Sequence, residues 1–360
     1  MVILYWLLII GAVFIKKPKV FPFFVIAFLV WINYNNIKIP DFLSYNNLYQ
    51  AASPVQYENF GKGWYFLNNI GRNLGLTYNQ YKMWSLILIG IILFIVSRIL
   101  IGETSNLMWG LYLLYPALVD VIQLRFYTAL AITLLAIPFI LKKKLWSTLV
   151  AICIILFASK VHSSAYFYLL LIFCPLAGKD PKKFRNLLFA FTAVAIVLRS
   201  LTSTIVNNFL NERTLTYVDP NSTATAHGTL LIPLYIVDIL LVFLTNNYIA
   251  NIVVGNSIFS TEDINYMSFV RNASALMFVL IPISLISGEF FRVFRIMYIL
   301  TYISIAILAK PNRKYMSKSF LFGSSPVYFK AEYIGIAFVI VMFAINILYL
   351  LPSAYSSFFR

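Results

Sequence analysis

The chain has 360 residues, of which 61% are hydrophobic, 17% aromatic and only 11% charged, with a mean hydropathy of +0.84. Soluble domains run at about 45–50% apolar and about 25% charged residues, so a single water-soluble core is excluded. With Gly and Pro at 14 each and Cys at 2, disordered, collagen-like and disulfide-scaffold classes are excluded too.

The charge excess has a specific reading. Twenty-eight Lys+Arg against twelve Asp+Glu give a net charge of +16, which in a soluble protein would suggest nucleic acid. Here most basic residues fall in short blocks between apolar runs, so they read as cationic loops that meet anionic lipid on the cytoplasmic side, with no nucleic-acid partner. Cys153 and Cys174 lie inside apolar runs and read as reduced packing residues. At about 20 residues per span the length leaves room for roughly 10–13 spans. The expected fold is all-α: a polytopic integral membrane protein with about 12 transmembrane helices, a single transmembrane domain over residues 1–360, and no separate soluble domain.

In chain order, Met1 to Ile15 lacks a basic leading region and a small-residue cleavage site, so it reads as a first span rather than a signal peptide. Apolar runs bounded by charge or turn residues then predict spans at 2–15, 20–34, 82–101, 105–119, 122–141, 145–158, 162–177, 186–206, 229–249, 266–286, 291–309 and 331–351. Basic blocks follow spans 1, 5, 7 and 11: Lys16, Lys17 and Lys19; Lys142, Lys143 and Lys144; Lys179, Lys182, Lys183 and Arg185; Lys310, Arg313, Lys314 and Lys318. All four lie on one side, which the positive-inside rule makes cytoplasmic, with both termini outside. The two longest polar segments, 35–81 and 207–228, are then extracytoplasmic loops. The first is rich in Tyr, Asn and Gly and carries Asp41, Glu58, Lys62 and Arg72. That composition suits a surface that stacks on sugar rings, and equally suits an interfacial aromatic belt. No internal repeat is evident, which weighs against the secondary transporters built from repeats.

Ionisable side chains inside spans are costly unless paired or wet, so they are functional candidates by default. Arg125 stands near the outer end of span 5, His162 opens span 7 two residues after Lys160, and Arg292 and Arg295 begin span 11 one turn apart. Arg199 lies in the outer half of span 8 and Asp238 in the middle of span 9. All but Asp238 fall in the outer half of the membrane under this topology. Each has a plainer reading: Arg292 and Arg295 snorkel to head groups, His162 is a satisfied structural histidine, and Asp238 is paired or capping. Glu103, Glu262 and Asp263 read as cytoplasmic loop charges. A nucleotide phosphate loop is absent, as are an Asp-x-Asp pair, a Gly-x-Ser-x-Gly motif and clustered His/Cys ligands. Any chemistry must therefore run on Arg, His, a lone carboxylate and hydroxyls, with no metal and no cofactor.

Four motifs then occur in order. They are Asp41-Phe-Leu-Ser-Tyr45 with Tyr49 and Glu58 followed by Gly61 and Gly63; Gln123-Leu-Arg125 with Ala129 and Ala131, then Lys142-Lys-Lys144; His162-Ser-Ser164; and Arg292 with Arg295. In that order, over roughly residues 30 to 300, they resemble the EpsG family of bacterial polysaccharide polymerases, the Wzy-like proteins of capsule, exopolysaccharide and O-antigen synthesis. The chain departs from that pattern at Phe126, where a Gln often stands, and at Asn59-Phe60 before the glycine.

The resemblance implies a multi-pass protein of the bacterial inner membrane with an extracytoplasmic active site. Such an enzyme transfers a growing glycan from undecaprenyl pyrophosphate to a hydroxyl of a lipid-linked repeat unit. Its partners are that lipid-linked oligosaccharide, membrane lipid and other capsule or exopolysaccharide assembly proteins. The leaving group is already activated, so no nucleotide is needed, and arginine forks suit the developing pyrophosphate charge. The resemblance assigns His162 and Glu58 as candidate catalytic bases, His162 first because it titrates near neutral pH. Arg125, Arg292, Arg295, Asp41, Tyr45, Tyr49, Gln123 and Lys160 are the candidate substrate-binding residues. Rival readings are a flippase for lipid-linked oligosaccharide and a polyprenyl-phosphate-dependent glycosyltransferase or glycan ligase. A membrane O-acyltransferase fits less well, because the expected histidine and carboxylate pairs are missing.

Overall fold

The computed structural model describes residues 1–360 except 15–19, 35, 52, 58–59, 104, 179, 210–231, 258, 285–287, 310–336, 339, 343, 346–351 and 360. Among the described residues the fold is all-helical, with no strand. In chain order the elements used below are α1 (Val2–Phe14), α2 (Phe21–Tyr34), α3 (Phe42–Ala51), α4 (Lys62–Asn73), α5 (Tyr78–Ile101), α6 (Asn106–Leu114), α7 (Ala117–Ile122), α8 (Leu124–Leu134), α9 (Ile137–Leu141) and α10 (Leu145–Val161). A 3₁₀ helix (Ser163–Phe173) leads into α11 (Cys174–Ala177) and α12 (Pro181–Phe209). Then come α13 (Ile232–Val254), α14 (Thr261–Leu276), α15 (Leu280–Ser284), a second long 3₁₀ helix (Gly288–Phe294) and α16 (Arg295–Leu308).

Among the described residues, five stretches are long and apolar enough to cross a bilayer: Tyr78–Ile101, Leu124–Leu141, Pro233–Val254, Thr261–Pro282 and Phe290–Leu308. Their ends follow local chemistry. Thr77 and Gln80 form a reciprocal capping box at the start of α5, and left-handed Gly102 ends it. Ser260 and Asp263 form a second box at the start of α14, so Asp263, expected as an ordinary loop charge, is half of a helix cap. The stretch Phe290–Leu308 is buried almost throughout and lies at the centre of the bundle, packed against α6, α13 and α14.

Several expected spans take a different form. Span 4 (105–119) is not one helix: α6 stops at Tyr115-Pro116 and the short α7 follows. Span 7 begins as a 3₁₀ helix, whose rise of about 2.0 Å per residue carries Ser163–Ala177 farther than an α-helix of equal length. Span 12 (331–351), the blocks Lys16–Lys19 and Lys310–Lys318, and residues 210–228 of the second polar segment fall largely or wholly outside the described residues. The count of twelve and the sidedness of the loops therefore remain expectations of the sequence.

The segment 35–81 is folded rather than a loose loop. Arg72 donates to the Tyr49 carbonyl at 3.0 Å and the Tyr57 hydroxyl at 3.2 Å, and lies against the rings of Tyr49, Tyr57 and Tyr65. Asn47 on α3 and Lys143 after α9 are both exposed. In a Cys153→Ala background, Asn47→Cys should react with an impermeant maleimide in intact cells while Lys143→Cys is protected. Protection of Asn47→Cys with labelling of Lys143→Cys would invert the topology.

Candidate functional site

The site is organised by a break in a buried helix. Gln123 ends α7 and begins α8 with non-helical torsions (φ −94°, ψ 57°). The kink places three consecutive polar positions, Asp120, Gln123 and Arg125, around one point of the bundle. Arg295, at the start of α16, joins it: Nη1 meets Asp120 Oδ1 at 3.0 Å, Nη2 meets Gln123 Oε1 at 2.6 Å, and the guanidinium lies over the Phe126 ring at 5.1 Å. Both side chains of the ion pair are buried, at 8% and 0% exposure. Tyr112 adds a long hydroxyl contact to Asp120 at 3.5 Å.

Arg295 and Gln123, expected as substrate ligands, hold each other and Asp120 in the structure, and these contacts fix the break. Asp120 was not among the expected site residues.

Arg125 is half-buried on the other side of the break, where Nη1 donates to the Phe60 carbonyl at 2.8 Å and the guanidinium covers the Phe60 ring at 5.0 Å. Phe60 begins the Gly61-Lys62-Gly63 turn, and two glycines are required there. Gly61 has φ +93°, and a Cβ on it would lie 2.6 Å from the Lys160 carbonyl oxygen. A Cβ on Gly63 would meet the Lys160 carbonyl carbon at 2.7 Å. The turn thus packs backbone to backbone on the last turn of α10, and the residue that follows that turn is His162.

His162 ends α10 and caps the 3₁₀ helix: Nδ1 accepts the Ser164 amide at 3.3 Å and stands 2.7 Å from Ser164 Oγ. With Nδ1 as acceptor, the neutral ring carries its proton on Nε2. The ring is buried edge-on against Phe126 at 5.4 Å. The charges of Arg125, Arg292 and Arg295, from two distant segments, all bear on it. Arg292 is half-buried in the second long 3₁₀ helix, one turn before Arg295.

The family follows from these residues and their order. The EpsG family model matches residues 16–348. The chain belongs to the EpsG family. That family comprises Wzy-like polysaccharide polymerases, and the apolar helices agree with a membrane protein. No curated protein and no solved structure matches the chain.

The remaining EpsG motif positions divide by surroundings. Lys160 is exposed, its Nζ 3.5 Å from the Tyr166 hydroxyl, and shares the last turn of α10 with the site. Asp41 and Tyr45 are half-buried at and just inside the start of α3, with Tyr45 against Trp64 at 6.1 Å. Tyr49 is buried, and its hydroxyl donates to the Leu76 carbonyl at 2.8 Å, so it belongs to the core of the 35–81 segment rather than to an exposed stacking surface. Glu58 and the Arg199 side chain lie outside the described residues. Asp238 accepts from the Tyr298 hydroxyl at 2.8 Å, which bears out the plainer, paired reading of it. Among the described residues no cluster of His, Cys, Asp or Glu could hold a metal.

Proposed function

We propose that this membrane polysaccharide polymerase joins lipid-linked repeat units at the outer face of the bacterial inner membrane, using the polyprenyl pyrophosphate of one glycan as the leaving group. The observation that carries this reading is the convergence on His162 of the charges of Arg125, Arg292 and Arg295, from two distant segments of the chain. An acceptor hydroxyl attacks the anomeric carbon of the growing glycan, the bond from that carbon to the pyrophosphate oxygen breaks, and the hydroxyl proton leaves to the protein. Arg125 and Arg292 meet the negative charge that develops on the departing pyrophosphate, where fixed forks are worth most because they need no reorganisation. Arg295 is a positioning residue, since Asp120 and Gln123 occupy its fork. The acceptor proton passes through Ser164 Oγ to His162 Nδ1, 2.7 Å away. Glu58 is the alternative base in the same motif set.

Cells carrying Arg125→Ala should accumulate the lipid-linked single repeat on the outer leaflet, made and flipped but not joined. Accumulation on the inner leaflet would overturn the polymerase reading in favour of a flippase.

The role of His162 separates from its capping role by choice of variant. His162→Asn keeps an acceptor for the Ser164 amide but removes the base, so polymer should fall by about 10²–10⁴-fold, as in His162→Ala. Immunoblotted membranes should still contain the protein. Wild-type polymer from His162→Asn would reduce His162 to a cap and pass the base to Glu58, testable as Glu58→Gln.

A further inference from the structure

A second cationic position lies outside the arginine cluster. Asn33, Ile39, Phe42, Tyr45, Tyr78, Lys82, Val121, Ile122 and Leu124 line a partly open cavity of about 10 Å³, where α2, α3 and α5 meet the same helix break. That volume admits one water or one oxygen atom and no more. Two of its polar side chains have nothing to bind. Asn33 is fully buried and both its Oδ1 and Nδ2 lack a hydrogen-bond partner; Lys82 is 3% exposed and its Nζ also lacks one. Lys82 Nζ has ring contacts only, with Phe42 at 4.9 Å and Tyr78 at 6.0 Å, and no carboxylate among the described residues bears on it. Ring faces compensate a desolvated ammonium only in part, and a buried charge or amide without a partner is costly. An oxyanion atom in the cavity would satisfy Lys82 Nζ and Asn33 Nδ2 together.

We infer that the Lys82–Asn33 cavity is an oxyanion notch that takes one phosphoryl oxygen of a lipid-linked substrate. The size of the notch selects a single oxygen projecting from a larger group rather than a whole phosphate. Its wall residues Val121, Ile122 and Leu124 flank Gln123, so the notch and the Arg125 contact are built on one kink. The inference rests on the polymerase reading for the identity of the second ligand. A transfer between two lipid-linked glycans involves two pyrophosphates: one departs, and the other stays on the acceptor lipid and must be held in place. The arginines face the first, and the notch holds the second.

The test reads binding without catalysis, so it stands apart from the polymerase test. Full-length protein in nanodiscs is titrated with farnesyl phosphate and, separately, with inorganic phosphate, in an Arg125→Ala background that weakens the first position. Lys82→Met should lower farnesyl phosphate affinity about 10- to 100-fold, the range of a lost charge-assisted hydrogen bond. Asn33→Asp supplies Lys82 with a carboxylate of the same shape; it should abolish binding while the protein remains folded by thermal unfolding. Inorganic phosphate should bind more weakly than farnesyl phosphate and lose its binding in the same two variants. Unchanged farnesyl phosphate affinity in both variants would overturn the notch. Equal affinity for inorganic phosphate would overturn its assignment to a lipid. A polymerase reading that failed would leave Lys82-dependent binding intact, which separates the two failures.

Discussion

Asp120→Ala should be the most destabilising single substitution near the site, lowering stability by about 3–5 kcal/mol, because it strands the Arg295 guanidinium in a buried position. The pair is made by 3.0 Å contact between side chains almost fully removed from solvent, with Gln123 and Phe126 completing the surroundings of Arg295. Removing both charges has a different consequence. A buried pair exchanged for apolar groups of similar volume is often neutral, so Asp120→Ala combined with Arg295→Met should recover much of the loss. Thermal unfolding of the detergent-solubilised protein, followed by fluorescence-detected gel filtration, reads both outcomes. A double variant no more stable than Asp120→Ala would mean that the ion pair does not carry the break.

Arg125→Lys should fail nearly as badly as Arg125→Ala, with polymer reduced about 10²–10³-fold per molecule of protein in the membrane. Nη1 of Arg125 holds the Phe60 carbonyl at 2.8 Å, and in the proposed reaction the same guanidinium would also meet the departing pyrophosphate. A lysine ammonium is a point charge and cannot hold the glycine turn and clamp a phosphate at once. A residue that merely snorkels to head groups needs only a positive charge at the interface, and lysine would then restore full polymer. Polymer amount and length on gels, normalised to membrane-bound protein, decide between the two.

The sequence was most informative where chemistry is locally encoded. High hydropathy and low charge announce an all-helical membrane protein, while the capping boxes at Thr77 and Ser260 start α5 at Tyr78 and α14 at Thr261, ahead of the expected spans 82–101 and 266–286. The order of the Arg125, His162 and Arg292 motifs leads to the EpsG family, and the charges of both arginines bear on His162. What stayed hidden depends on contacts between distant segments. Asp120 stands in the gap between two expected spans, so the rule that flags buried charges passed over it, although a carboxylate in Leu-Val-Asp120-Val-Ile is a visible signal. The pairing of Arg295 with Asp120 spans 175 residues and has no local signature. Tyr49 carries the same composition signal as a sugar-stacking residue, yet its ring is buried and its hydroxyl is held by Leu76. Gly61 and Gly63 stand out only as part of the Glu58 motif, and the neighbouring α10 backbone reveals why no side chain fits there. The expected span 82–101 opens at Lys82, and nothing local shows that this lysine lies buried in the notch with Asn33.

Whether the chain itself joins lipid-linked repeat units is decided by reconstitution. The purified protein is placed in proteoliposomes with the polyprenyl-pyrophosphate-linked repeat unit extracted from cells that lack the chain, without nucleotide or other protein. A ladder of lipid-linked polymers is expected, lost in Arg125→Lys and His162→Asn. A wild-type protein that moves the lipid-linked repeat across the bilayer without lengthening it would contradict the polymerase reading.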